Sequence, residues 1–125
     1  MRQLALLPAG IHRSGHDVLH ADRERIYYRS TLAVYVISRK NFAIEHILCA
    51  SDRSIVSVAF SPHNANLMVM CGADGGMTLW SLSEARVLSR CAFAKDATTR
   101  LTWDPVITNQ VIVITSSRGL RLHRW

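Results

Sequence analysis

Cysteine is scarce in this chain. Cys49, Cys71 and Cys91 are an odd count at wide spacing, and there is no Cys-x-x-Cys pair of the kind that holds zinc. All three fall in apolar, strand-like runs, where a free thiol acts as a small hydrophobe and fits a reducing compartment. Long apolar runs are missing too. Nothing approaches the roughly 18 residues that a membrane helix needs. Leu4–Ala9 follows Arg2 but is too short for a signal peptide, and no small-residue cleavage site follows it. The expectation is a soluble intracellular protein, cytoplasmic or nuclear, with no membrane partner. No stretch carries a helical signal, and no low-complexity linker divides the chain. Runs of basic residues stop at two, so there is no polybasic tail.

The chemistry-bearing motifs are equally thin. No Gly-x-Ser-x-Gly elbow orders Asp17, Asp104, His63 and the serines into a triad. Asp74-Gly75-Gly76 lacks both the Gly-x-Gly-x-x-Gly spacing and the following helix of a phosphate-cradling loop. His12, His16 and His20 would share one face of a helix, but Gly15 interrupts it and Val18-Leu19 reads as strand; they are expected to be loop and edge histidines, not metal ligands. The reading is therefore of a non-enzyme with no catalytic residue, metal site or cofactor.

What is present is concentrated between Ile55 and Leu82. Ile55–Phe60, Leu67–Cys71 and Met77–Leu82 are apolar runs of strand length. Ser61–Asn66 and Asp74-Gly75-Gly76 separate them, the second a turn in which glycine supplies positive φ. The pattern then recurs. Phe60-Ser61-Pro62 returns as Trp103-Asp104-Pro105, Met68–Met70 as Val111–Val113 and Leu79 as Leu122, all at an offset of 43 residues. A weaker copy upstream places Leu32–Tyr35 on Met77–Trp80. Periods of about 40–45 residues with four strands each are those of propeller blades, which stack because one blade cannot bury both of its faces.

Ser57-Val58-Ala59-Phe60-Ser61-Pro62, the Asp74-Gly75 turn and Met77-Thr78-Leu79-Trp80 resemble a WD40 repeat. The resemblance covers nearly the whole chain and implies an all-β, partial WD40-like β-propeller of slightly under three four-stranded antiparallel blades. The repeats run over about 16–50, 51–93 and 94–125. In the first, strands are expected at His16–Ala21, Arg25–Arg29, Leu32–Ile37 and Phe42–Cys49. The second adds an outer strand at Arg86–Phe93. The third holds Thr99–Trp103, Gln110–Thr115 and Leu120–Arg124.

The resemblance also implies a buried network of a His before the innermost strand, an Asp in the turn and the Trp of the third strand. Asp74 and Trp80 fit the last two roles, with Trp80 buried between blades and its indole N–H near Asp74. The His position falls on Ser51 and, in the next repeat, on Ala94, where His123 also replaces the Trp. Packing must then carry more of the stability. Closed propellers have about four to eight blades, so the chain reads as the N-terminal piece of a longer array that continues into further WD40 blades, or as one needing partners to close. Made alone, it is expected to associate through bare apolar faces and strand edges.

The resemblance further implies a protein-binding scaffold. The rim formed by the loops before each innermost strand and by the turns between second and third strands would carry Arg29, Asp52, Arg53, Asp74, Lys95, Asp96 and Arg118. That rim is equally readable as a merely solvated edge. A net charge of +6, with 13 of 15 basic residues being arginine, raises nucleic acid as the alternative partner; the charge is as readily balanced by further blades. Tyr27, Tyr28 and Tyr35 beside Arg25 and Arg29 could stack bases, but strand tyrosines more commonly pack between sheets with their hydroxyls at the rim.

Overall fold

The structure, a computed structural model, describes residue 2 and residues 19–49, 53–92, 98–115 and 119–125. The alternating runs fold as strands, and among the described residues they make three antiparallel sheets of four, four and three strands, with no helix. The first sheet is β1 (Leu19–Ala21), β2 (Arg25–Arg29), β3 (Val34–Ser38) and β4 (Ile44–Leu48). The second is β5 (Ile55–Phe60), β6 (Leu67–Gly72), β7 (Gly76–Ser81) and β8 (Arg86–Ala92). The third is β9 (Thr98–Trp103), β10 (Gln110–Thr115) and β11 (Gly119–Arg124). Each is a meander whose sequence neighbours are hydrogen-bonded neighbours. This is a partial β-propeller of three blades.

The side-chain period of two explains the stacking. On β6, Met68 and Met70 join Tyr27, Val34, Val36, Leu48 and Trp80 in a core between the first and second sheets. Val69 and Cys71, between them in sequence, join Leu101, Trp103, Val111 and Val113 in a core between the second and third. All four β6 side chains are at most 1% exposed. A strand that is apolar at every position is thus explained by a sheet covered on both sides.

Among the described residues, nothing packs on the outer face of either end sheet. Register aligns Leu19, Tyr28, Tyr35 and Ile47 in a row across the first sheet. On the third it pairs Ile112 with Leu122 and Ile114 with Leu120. Leu19, Ile47, Leu120 and Leu122 are 72%, 55%, 64% and 60% exposed.

Several strand limits move from those expected, for local reasons. β3 starts at Val34 because Ser30 N–H donates to the Ala33 carbonyl at 2.8 Å and closes a turn that includes exposed Leu32. β4 starts at Ile44 because Phe42 adopts φ 57° and its N–H returns to the Ser38 carbonyl at 2.9 Å. Cys49, just beyond β4, is exposed and not a buried hydrophobe, whereas Cys71 is fully buried. Residues 16–18, expected in the first innermost strand, lie outside the described residues.

Trp80 is 5% exposed in the core between the first two sheets. Its indole N–H donates to Thr78 Oγ1 at 2.9 Å, and the Thr78 hydroxyl in turn donates to the Met70 carbonyl at 3.4 Å. The expected pairing with Asp74 is replaced by this short relay along one face of β7. Asp74 closes its own turn instead, accepting the Gly76 N–H at 3.0 Å. Gly75 supplies φ 80° there, and a Cβ at Gly72 would stand 2.8 Å from Asp74 Oδ1.

The third blade has no such indole. His123 is half-buried in its place, edge-on to Trp125 at 4.6 Å, and burial pushes its imidazole below the usual histidine range. Trp125 stacks at 6.0 Å on Trp103, whose own indole donates to the Thr108 carbonyl at 3.0 Å.

Candidate partner-binding rim

Antiparallel meanders put the β2–β3 and β6–β7 turns and the links between sheets at one end of the stack. The link entering β5 is held from both sides. Ile55 N–H donates to the Thr31 carbonyl at 2.6 Å, and the Ser54 carbonyl accepts the Ala73 N–H at 2.9 Å. One bond ties the link to the first blade and the other ties it to the turn that carries Asp74. Arg53 directly precedes this doubly bonded pair, Ser54 and Ile55.

Of the residues expected on this rim, Arg53 and Asp74 are exposed. They line one pocket of about 60 Å³, together with Gly72, Thr78 and Arg90. Asp52, Lys95, Asp96 and Arg118 lie outside the described residues, as does Asp17.

Arg29 is a correction. It is 4% exposed, and its Nη1 donates to the carbonyls of Ile55 at 2.7 Å and Val56 at 3.3 Å. The β5–β6 register shifts between Ile55 and Ser57, leaving Val56 as the bulged residue. A bulge disrupts the ladder and strands a main-chain group, and the guanidinium from the next blade takes up that carbonyl. Arg29 is a blade-to-blade tie, not a solvated rim charge.

Arg90 and Thr78 were missed by sequence reasoning. They are cross-strand partners on β8 and β7. Thr78 stands two residues before Trp80, so strand alternation already places both on one face, which is a readable signal. Arg90 has none, because its place depends on a register shift between Leu79 and Trp80.

Among the described residues, the other candidate side chains make packing and turn contacts. His63 Nε2 contacts the main-chain carbonyl of Asp104 at 2.9 Å, not its carboxylate. That carboxylate accepts from Val106 N–H, Ile107 N–H and the Gln110 side chain at 2.8–3.0 Å. The Ile107 and Val106 N–H groups hold it below the usual carboxylate range, helped by Gln110. Tyr27 is buried, its hydroxyl donating to Asp22 Oδ2 at 3.1 Å; burial and the Asp22 charge push it up to about 12. Tyr28 and Tyr35 face each other across the outer side of the first sheet, 6.2 Å apart. His20 stacks on Phe60 at 4.1 Å; His12 and His16 lie outside the described residues. No group of three His, Cys, Asp or Glu able to hold a metal occurs among the described residues, and no helix there is long and apolar enough to cross a membrane.

No protein-family model matches the chain. Among solved structures it is similar to the β-propeller domain of Cps50 (Swd1) from Myceliophteria thermophila, with a TM-score of 0.74 and 14% sequence identity. The likeness covers 90% of this chain and 37% of that one, so the chain spans well under half of the propeller it matches. At that identity the likeness speaks to the fold alone: the three sheets stack as successive blades of a β-propeller.

Proposed function

We propose that this chain is a non-catalytic, intracellular WD40-repeat scaffold that binds partner proteins at the rim carrying Arg53 and Asp74. The observation that supports the reading is the fixed link into β5. Two main-chain hydrogen bonds to two different blades tie Ser54 and Ile55, next to an exposed arginine that lines one pocket with an exposed carboxylate. Preorganised charges lose less entropy on binding and discriminate partners by complementarity. A further resemblance fits this reading: the N-terminal Arg2–Gly10 together with Leu32–Ile37 looks like the start of WD repeat-containing protein 17.

The test is quantitative affinity capture on the immobilised chain at physiological salt, comparing parent with Arg53→Glu. Reversal of a rim charge is expected to lower specifically retained protein about tenfold, which corresponds to about 1.4 kcal/mol. Nuclease treatment should leave the retained set unchanged. The alternative, a nucleic-acid module using the arginine excess, predicts nuclease-sensitive retention and filter binding that falls steeply and linearly in log salt. That result, or a protein set indifferent to Arg53→Glu, would overturn the rim reading.

A further inference from the structure

A second charged site lies at the opposite end of the first blade. The β1–β2 turn and the β3–β4 turn meet there, joined by Arg39 N–H to the Glu24 carbonyl at 2.9 Å. A pocket of about 450 Å³ opens between them, lined by Arg23, Arg25, Arg39, Lys40, Glu24 and Glu45. The charges are not equivalent. Arg25 Nε pairs with Glu45 Oε2 at 2.7 Å and is neutralised. Arg23, Arg39 and Lys40 are exposed and form no ion pair among the described residues. Against Glu24 alone, they leave the pocket with an excess of positive charge.

Both turns are set before any ligand binds. Asp22 Oδ1 accepts the Glu24 and Arg25 N–H groups at 2.8 and 2.7 Å, which shapes the turn carrying Arg23. Ser38 Oγ accepts the Lys40 N–H at 3.2 Å, which shapes the turn carrying Arg39 and Lys40. Three cations on two fixed turns around one concavity suit an anion of high charge and several acceptor oxygens. A phosphomonoester carries about −1.5 to −2 at pH 7 with three strong acceptors, and guanidinium groups can bind it with two parallel hydrogen bonds. A single carboxylate would leave the excess unmatched. A continuous polyanion is disfavoured by Glu24 and Glu45 in the lining.

We infer that this pocket binds the phosphoryl group of a phosphorylated side chain on a partner protein. The site is at the far end of the blade from the rim, so the two stand or fall separately. The test uses the full chain and three forms of one short, otherwise uncharged peptide, containing serine, phosphoserine or glutamate, with amide shifts of the protein as readout. Saturable shifts at Arg23, Arg39 and Lys40 are expected with phosphoserine only. Lys40→Gln and Arg39→Gln should each weaken that binding at least about fivefold, while Arg53→Gln, at the rim, should change it less than about twofold. The inference is overturned if the glutamate peptide binds equally, or if Arg53→Gln weakens binding as much as Lys40→Gln. It is equally overturned if a single-stranded oligonucleotide or vesicles of phosphoinositide-containing lipid bind these residues about tenfold more tightly than the phosphopeptide.

Discussion

Trp80→Ala is expected to destabilise the chain by about 3–5 kcal/mol, the range for truncating a large buried aromatic side chain. Three effects add. The core between the first two sheets loses its largest side chain, in contact with a cluster that includes Tyr27, Val34, Met68 and Leu82. The cavity opens between blades, where both walls are sheets that cannot easily collapse. Thr78 Oγ1 loses the indole donor it accepts at 2.9 Å. Trp80→Phe separates the terms, because it retains most of the apolar volume and removes the donor; its cost should be about 1 kcal/mol for the hydrogen bond plus a smaller packing loss. Urea titration followed by far-ultraviolet circular dichroism checks both, read as a lowered midpoint at constant slope. A Trp80→Ala chain that unfolds within about 1 kcal/mol of the parent would mean that this indole does not anchor the blade contact.

Arg29→Met should cost about 1.5–3 kcal/mol, the range for losing a hydrogen bond to a charged group. Methionine keeps much of the apolar stem, so the loss reports on the guanidinium and on the two β5 carbonyls it leaves behind. Arg29→Lys should recover only part of this, since an ammonium lacks the planar fork that spans adjacent carbonyls. The same urea titration measures both. An effect within about 0.5 kcal/mol is what an exposed substitution gives, and it would restore the solvated-rim reading that the sequence alone supports.

That contrast shows where the sequence was legible. The strands of the second blade could be read because the hydrophobic pattern and the turn residues agree. Met68–Cys71 is apolar at every position, and the structure buries it on both faces. Asp74-Gly75 marks a tight turn, and Gly75 takes the left-handed conformation there. The 43-residue recurrence likewise pairs Trp103 with Phe60 at the ends of two innermost strands. Arg29 could not be read this way. Its role depends on a bulge at Val56 in another blade, and nothing in a stretch of ordinary strand residues announces which one will be left over. Arg90 is hidden for the same reason.

Trp80 lies between these cases. Its burial follows from the pattern, but its partner does not follow from the resemblance, because the chain has Ser51 where that network would need a histidine. Without the imidazole, the indole takes the nearest hydroxyl on its own face, and the carboxylate of Asp74 folds onto its own turn. Leu32 is apolar and Phe42 strand-favouring, yet main-chain bonds of the turns place them outside β3 and β4. Local propensity is overridden there by the geometry of a short connection.

The second sheet is enclosed by its two neighbours, and the three thiols report on that enclosure. Cys49 is exposed, Cys91 is partly buried on the outer strand with its thiol pushed up by burial, and Cys71 is 0% exposed on β6 against the third sheet. Timed alkylation of the native chain with site-resolved mass spectrometry should modify Cys49 rapidly and Cys91 slowly. Cys71 should react only at the rate of global unfolding, and its protection should disappear in denaturing urea. Native Cys71 reacting as fast as Cys49 would show that the third sheet does not cover the second, and the stacked-blade description would fail.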